Sequence, residues 1–282
     1  MRKAQACDLG AIEHHLKQSF ATTMFLRSNL LNYGIDGASR YCMDVFFDGE
    51  AGIEGGMCTI TRSGHLLAHV DPSQHRLWVE FAHALKGREV LGMTGDQEQI
   101  SALFNVLSAE NAGFKIDDVQ LLYAVSLDRV PVFDDVELRA PEPDMIGQLS
   151  HWRLASNIET LGERETVSAL AEARAQINLL QTEDRLRVLF SNGEVVAMTA
   201  FNATLPDCVQ IGGVFTPPAE RSKGYARRAV ALHLAEARRN GVEKAVLFAA
   251  NPAACRAYEA IGFEQVGHNR VALFSNPFKV DA

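Results

Sequence analysis

The sequence predicts an α/β protein of two domains, and three observations carry that expectation. The chain has 282 residues, and at roughly 100–200 residues per domain two is the natural number. Strand-like apolar runs alternate with segments of helical character along its length. A stretch rich in proline and acidic residues, Val130-Pro131 through Pro143, interrupts the chain near its middle.

Composition sets the outer limits. With 47% hydrophobic and 22% charged residues, the chain can bury full cores and does not resemble a disordered one. No run approaches the ~20 apolar residues that cross a bilayer as a helix, so no membrane association is expected. Met1-Arg2-Lys3-Ala4 is followed by Asp8 and Glu13 with no apolar segment between, which argues against a signal peptide. The five cysteines (Cys7, Cys42, Cys58, Cys208, Cys255) are scattered and form no Cys-x-x-Cys pair. Reduced thiols in the cytoplasm are expected, and no metal site. A net charge of −8 argues against nucleic acid as a partner. Any anionic ligand needs a local concentration of donors, and Arg221, Lys223, Arg227 and Arg228 provide one.

In the first half, Val45–Glu50 is an apolar strand ending in Asp48-Gly49, with a second strand-like run at Met57–Thr61. In the second half, Val188–Glu194 ends in Asn192-Gly193, with Val195–Ala200 following. Both dipeptides favour the positive φ of a tight hairpin. A pair of hairpins fits two copies of one architecture and fits two unrelated hairpins equally well. The strand Glu89–Met93 leads into a helix capped by Asp96, and Gly92 and Gly95 there serve backbone geometry more readily than phosphate binding. The prolines at 131, 141 and 143 stop helices, around a short strand-like run Val136–Arg139. Domains of 1–130 and 135–282 follow, the second opening with a helix from a capping Asp144 to about Gly162.

The segment with chemical content begins at the strand Val209–Phe215, whose Gly212 and Gly213 permit a bulge or the close approach of a ligand. Pro217 and Pro218 end it. Arg221-Ser222-Lys223-Gly224-Tyr225-Ala226 then opens a helix that runs to Asn240-Gly241, with Ala226, Val230, Leu234 and Ala237 on one face. A helix start offers unpaired N–H groups and about half a positive charge. Gly224 allows the main chain to approach a phosphate, and the arginines add charge. The plain alternative is a βα connection with solvated basic residues. Neither the Rossmann Gly-x-Gly-x-x-Gly nor the P-loop pattern occurs. The strand Lys244–Ala249 precedes a short helix with Asn251 as cap and Pro252 in its first position. Ala254, Tyr258 and Ile261 share one face of it. Gly262 ends the helix before strands at Phe263–Val266 and Arg270–Phe274. On spacing alone Tyr258 reads as a core residue with a satisfied hydroxyl.

In combination, Arg221-x-x-Gly224-x-Ala226 after a strand, then Asn251-x-x-Ala254-x-x-x-Tyr258-x-x-x-Gly262-Phe263, resembles the paired motifs of the GNAT acetyltransferase superfamily. The string Ile211–Pro218 looks more narrowly like a group of predicted bacterial acetyltransferases with a divergent first copy of the fold ahead of an intact second one. The resemblance is strong from Glu137 to Phe274 and faint over residues 1–130. It implies two tandem GNAT-like domains, each a mixed, mostly antiparallel central sheet flanked by helices. It implies acetyl-CoA as co-substrate, transfer of the acetyl group to a small-molecule or peptide amine, and no metal. Val214, Phe215 and Thr216 would line the pantetheine arm, and Val214 N–H would meet the thioester oxygen. Arg221, Ser222, Lys223, Gly224, Tyr225, Ala226 and Arg227 would surround the pyrophosphate, with Asn251 and Ala254 opposite. Tyr258, at an ordinary pKa near 10, would protonate the departing thiolate. The chain departs from the common Arg-Gly-x-Gly in having Ser222 and Lys223 before Gly224, a less permissive turn.

The general base is not legible. Asp207 begins the acetyl-facing strand. Glu159, with Trp152 and Asn157, lies on the helix that borders the acceptor in this superfamily. Glu159 reads first as a solvated residue and Trp152 as core. Cys255 lacks a His or Asp partner and reads as a buried spectator. The competing functions are a non-catalytic acyl-CoA sensor and, against the acidic balance, a tandem aminoacyl transferase using charged tRNA. The first half lacks both motifs and is expected to hold no cofactor. A homodimer stays open.

Overall fold

The computed structural model describes residues 1–109, 112–249 and 251–281. In chain order the first half forms β1 (Arg2–Lys3), α1 (Leu9–Gln18), α2 (Phe20–Tyr33), β2 (Met43–Asp48), β3 (Gly52–Thr61), β4 (His65–His69), α3 (His75–Ala84), β5 (Glu89–Asp96), α4 (Gln97–Leu107) and β6 (Phe114–Ser126). The second half forms β7 (Glu137–Arg139), α5 (Ile146–Leu161), α6 (Val167–Thr182), β8 (Leu186–Ser191), β9 (Glu194–Thr204), β10 (Cys208–Phe215), α7 (Tyr225–Arg239), β11 (Lys244–Ala249), α8 (Pro252–Glu259) and β12 (Glu264–Lys279). The same order of strands and helices thus runs twice. Contacts divide the chain into one unit of Met1–Leu121 with Gly267–Ala282 and another of Leu122–Val266.

In the first unit the strand order is β1-β2-β3-β4-β5-β12-β6. Pairs β1–β2, β2–β3 and β3–β4 are antiparallel, β4–β5 is parallel, and β5–β12 is antiparallel. Here the structure departs from the expected division, which kept residues 267–282 with the second half. The physical reason is register: Ala272 pairs with Met93 and Leu273 with Gly92, and Ala272, Phe274 and Val280 pack into a core with Trp78, Phe81, Leu103 and Phe104. Two final strands were expected, and one strand of 16 residues is found. Gly92 serves this pairing, since a Cβ there would lie 2.7 Å from the Ala272 carbonyl oxygen. The Asp48 turn also differs. Asp48 pairs with Gly52 across a longer loop, and the positive φ falls on Gly52 rather than on the Asp48-Gly49 dipeptide.

In the second unit the order is β6-β11-β10-β9-β8-β7, with β7–β8, β8–β9 and β9–β10 antiparallel and β10–β11 parallel. Asn192 and Gly193, at φ of 52° and 84°, make the expected two-residue hairpin between Ser191 and Glu194. Asp144 does not cap α5. It lies inside a 3-10 turn, Pro143–Met145, that the proline favours, and Met145 takes the cap position. Gly162 closes α5 in the left-handed conformation. The expected apolar face of α7 packs on the sheet through Val230, Leu234 and Ala237. His233 lies among them, stacked on Phe201 of β9 at a ring separation of 3.7 Å.

Two outcomes are expected. Ala272→Asp buries a carboxylate in the first unit's core, which costs about 3 kcal/mol or more. Hydrogen exchange should accelerate in β4 and β5 while β9 and β10 keep their protection; faster exchange confined to β9 and β10 contradicts the strand pairing. Burial, with Arg187 nearby, lowers the His233 pKa to about 3. Its contribution to stability is therefore present above pH 6.5 and lost as the pH falls toward 3, at up to about 1.4 kcal/mol per pH unit. Urea unfolding of His233→Gln at pH 7 and pH 5 should show a smaller acid loss than the parent, and an equal loss rejects this assignment.

Candidate functional site

The site begins where two parallel strands part. β10 and β11 are in register from Cys208↔Lys244 to Ile211↔Leu247, yet β10 runs on to Phe215 and β11 to Ala249. On its other side β10 shifts register against β9 between Gly212 and Phe215. Gly213 and Val214 therefore fall outside the register with both neighbours, and Gly213 turns the chain at φ +59°. This is the bulge that the two glycines predict. Gly212 has a separate reason, because a Cβ there would lie 1.9 Å from the Asn202 side chain. Main-chain groups left outside a ladder are a ready edge for a ligand.

The loop after β10 is shaped by its dihedral angles. Ser222 and Gly224 both take positive φ, 64° and 79°. Gly224 is the N-cap of α7 with no side-chain capping bond, which leaves the first amides of the helix for an anion. Ser222 adopts a left-handed turn that glycine takes freely, at a cost of about 1 kcal/mol. A Cβ on Gly224 would come within 2.9 Å of Arg228 Nη1 and 3.0 Å of Arg227 Nε, so glycine lets two guanidinium groups fold over the turn. Arg227 Nε and Thr216 Oγ1 are buried with no hydrogen-bond partner among the described residues. The other cations are paired: Arg221 Nη2 with Glu159 at 2.7 Å and Lys223 Nζ with Glu220 at 2.9 Å. Arg228 pairs with Asp135 at 3.2 Å and donates to the Lys223 carbonyl at 2.8 Å. Exposed pairs of this kind contribute under about 1 kcal/mol and yield readily to a phosphate.

Asn251 caps α8, its Oδ1 accepting from Ala254 N–H at 2.9 Å, as its place before Pro252 predicts. Tyr258 is 8% exposed, and burial raises its hydroxyl to about 12, with Cys255 adding to the effect. The ordinary value near 10 expected from sequence is corrected by that desolvation. Cys255 is half-buried rather than buried. No hydrogen bond or ring contact among the described residues links Asn251, Ala254 or Tyr258 to the 221–227 loop. Tyr225 turns its hydroxyl to Ser191 Oγ at 3.2 Å, so only its main chain is left for a ligand. Ala226 is half-buried on the first turn of α7.

On the opposite side, Trp152 packs against Phe215 at 5.9 Å, half-buried within the core cluster of α5 and β8. Asn157 is 5% exposed and donates to Glu163 Oε2 at 3.2 Å. Glu159 is exposed but not merely solvated, since it holds Arg221, whose Nε also donates to the Thr216 carbonyl at 3.0 Å. Asp207 precedes β10 at the end where β10 and β11 are still paired. At about 3.3 Å per residue it stands roughly 20 Å from Val214 along the strand, too far to act as base there. A cavity of 380 Å³ lined by Ser126, Asp128, Arg238 and Lys244 lies at that same end.

Sequence reasoning missed Arg153. Half-buried itself, it stands on the α5 stripe with the buried residues Ile146, Leu149 and Asn157, and a Cβ on Gly213 would lie 3.2 Å from its Nη1. A lone arginine on an otherwise inward-facing stripe was the available signal.

Residues 149–263 match the model of the acetyltransferase (GNAT) family. Among curated proteins nothing matches. A Drosophila protein of known structure superposes with a TM-score of 0.64 at 12% identity, covering 98% of each chain. A GNAT-family acetyltransferase from Colwellia psychrerythraea gives 0.54 at 14% identity over 99% of each chain. A GCN5-related N-acetyltransferase from Kribbella flavida gives 0.54 at 14% identity over 97% of each. At these identities the likeness is one of fold.

The turn geometry has a measurable consequence. Gly224→Ala is expected to lower the unfolding free energy by about 1–2 kcal/mol. Gly147→Ala, at an α5 position with open space around it, should raise it by about 0.5–1 kcal/mol. Urea denaturation reads both, and an unperturbed Gly224→Ala rules out the left-handed turn.

Proposed function

The 149–263 segment belongs to the GNAT acetyltransferase superfamily, and from that premise we propose that this chain transfers an acetyl group from acetyl-CoA to an amine within its Leu122–Val266 unit. The observation that carries the reading is the parting of β10 and β11 at a bulge that continues into an uncapped helix start. The residues fit the co-substrate by three tests. Main chain at Gly213 and Val214 is outside both ladders, the Gly224 turn is open under two guanidinium groups, and the donors Arg227 Nε and Thr216 Oγ1 lack partners within the protein. In this reading Val214, Phe215 and Thr216 take the pantetheine arm as an added strand, and the amides from Ser222 to Arg227 take the pyrophosphate.

Bound there, acetyl-CoA supplies an acyl carbon that exchanges its bond to sulfur for one to the acceptor nitrogen. Val214 N–H stabilises the charge that develops on the acyl oxygen. Tyr258 keeps its proton at every physiological pH, because burial raises its pKa to about 12, and its Oη gives that proton to the sulfur. Asn251 holds α8, and with it Tyr258, through the Ala254 cap. Trp152, Asn157 and Glu159 border the acceptor. Water takes the amine's proton.

The repeated element order supports reading the first half as a second copy of the fold, without the co-substrate. Its counterpart of the phosphate loop, residues 70–74, has no glycine, and Asp71 Oδ1 accepts from Ser73 N–H at 2.8 Å and from Ser73 Oγ at 2.7 Å. A carboxylate at that turn repels a phosphate.

Calorimetry with acetyl-CoA is expected to give one site per chain, weakened about tenfold or more in Arg227→Gln. Tyr258→Phe should lower kcat about tenfold or more with little change in that affinity. Absence of heat with acetyl-CoA overturns the proposal, unchanged turnover removes Tyr258 from it, and binding without transfer to any amine turns the reading to a sensor.

A further inference from the structure

Arg153 is a half-buried cation beside Gly213, and no carboxylate hydrogen-bonds to it among the described residues. Its neighbours on the α5 stripe, Ile146, Leu149 and Asn157, are buried. Nε donates to Gln176 Oε1 at 2.8 Å, which fixes the plane of the group. Gly213 makes the space for it, since any Cβ there would lie 3.2 Å from Nη1. Nη1 and Nη2 form no hydrogen bond or ion pair among the described residues. Desolvation lowers the Arg153 pKa and the charge of Glu163 opposes that shift, and a guanidinium remains charged in any protein environment. The hydrogen bonds of the nearby carboxylates go to other groups: Glu163 accepts from Asn157 at 3.2 Å, and Glu159 binds Arg221 at 2.7 Å.

A half-buried guanidinium gains most from a carboxylate in direct hydrogen-bond contact, and among the described residues none occupies Nη1 or Nη2. We propose that the acceptor brings it: the acceptor is an amine bearing a carboxylate close to its nitrogen, and Arg153 receives that carboxylate through Nη1 and Nη2. This rests on the transferase reading above. Proximity sets the spacing. Consecutive Cα atoms are about 3.8 Å apart, and Arg153 abuts Gly213 while Val214 N–H, the next residue, faces the acyl oxygen. The nucleophilic nitrogen and the anion must therefore be separated by only a few bonds, as in an α- or β-amino acid. The guanidinium fork matches a carboxylate in two parallel hydrogen bonds. The phosphates of the co-substrate have their own donors in the 222–227 loop. During transfer a nitrogen–carbon bond forms as the carbon–sulfur bond breaks, the nitrogen loses one proton and the sulfur gains one. The carboxylate stays ionised throughout, so Arg153 is a positioning and specificity residue.

The test pairs α- and β-amino acids with their own carboxamides as acceptors for the full-length chain in the presence of acetyl-CoA. Calorimetry with acetyl-CoA alone comes first and separates the two readings, because an absence of heat there defeats the transferase proposal itself. With acetyl-CoA bound, at least one amino acid should exceed its carboxamide in kcat/KM by about tenfold or more. Arg153→Gln should raise KM for that amino acid about tenfold or more and erase the preference. KM for acetyl-CoA should move less than about twofold, and Arg153→Lys should recover part of the loss. Thermal unfolding of each variant identifies a folding defect, and Arg153→Lys then carries the comparison. Equal use of amino acids and carboxamides overturns the inference. So does an Arg153→Gln effect on acetyl-CoA as large as on the acceptor, which assigns the guanidinium to a phosphate. Where no acceptor is turned over, amino acids are titrated into the acetyl-CoA complex, and heat with none of them also overturns it.

Discussion

The site depends on one break in a ladder. Parallel strands β10 and β11 hold register for four residue pairs, Cys208 to Ile211 against Lys244 to Leu247, and their pairing ends where β10 shifts register against β9 around Gly213. A bulge increases twist and withdraws main-chain groups from their neighbours. Such groups are too polar to be left buried without partners. The same feature explains the residues around it. Gly213 makes room for Arg153, Gly212 for Asn202, and Phe215 returns to the core against Trp152, so the opening is confined to two residues between well-packed flanks.

Charge around the opening falls into two classes. Arg221, Lys223 and Arg228 are exposed and held by Glu159, Glu220 and Asp135. Such pairs keep the loop ordered at little energy and release it at little cost. Arg227 Nε is buried without a partner among the described residues, and half-buried Arg153 hydrogen-bonds only to Gln176 there. In the proposed reading Arg227 and Arg153 meet anions that the ligands bring.

Much of this was legible in the sequence because the signals were local. A strand, two prolines, a glycine between basic residues and an amphipathic helix lie within 33 residues of one another from Cys208 to Asn240, and each acts through its own backbone. Asn251 before Pro252 wrote the cap of α8 in the same way. What was not legible is non-local. That the last strand pairs with β5 follows from contacts between residues about 180 positions apart, such as Ala272 with Met93, and no local pattern encodes a partner. The pKa of Tyr258 was missed for a related reason. Its spacing on α8 gives its face, but the desolvation that lifts it to about 12 comes from everything packed around that face. Glu159 was read as solvated because its partner Arg221 is 62 positions away.

The two halves also separate what a fold requires from what a site requires. Both run through the same strands and helices, and both bury aromatic and aliphatic cores. Packing tolerates wide substitution provided volume and pattern are kept, so this architecture is reached from two different sequences. Binding an anion tolerates far less. It needs φ > 0 at a turn, amides free at a helix start and cations without internal partners. In the first half residues 70–74 satisfy their own turn with Asp71 and Ser73. In the second half Ser222 and Gly224 leave theirs open. A closed turn is the more stable choice for a folded chain. Retaining a strained serine, an uncapped helix and an unpaired arginine together is explained when a ligand completes them.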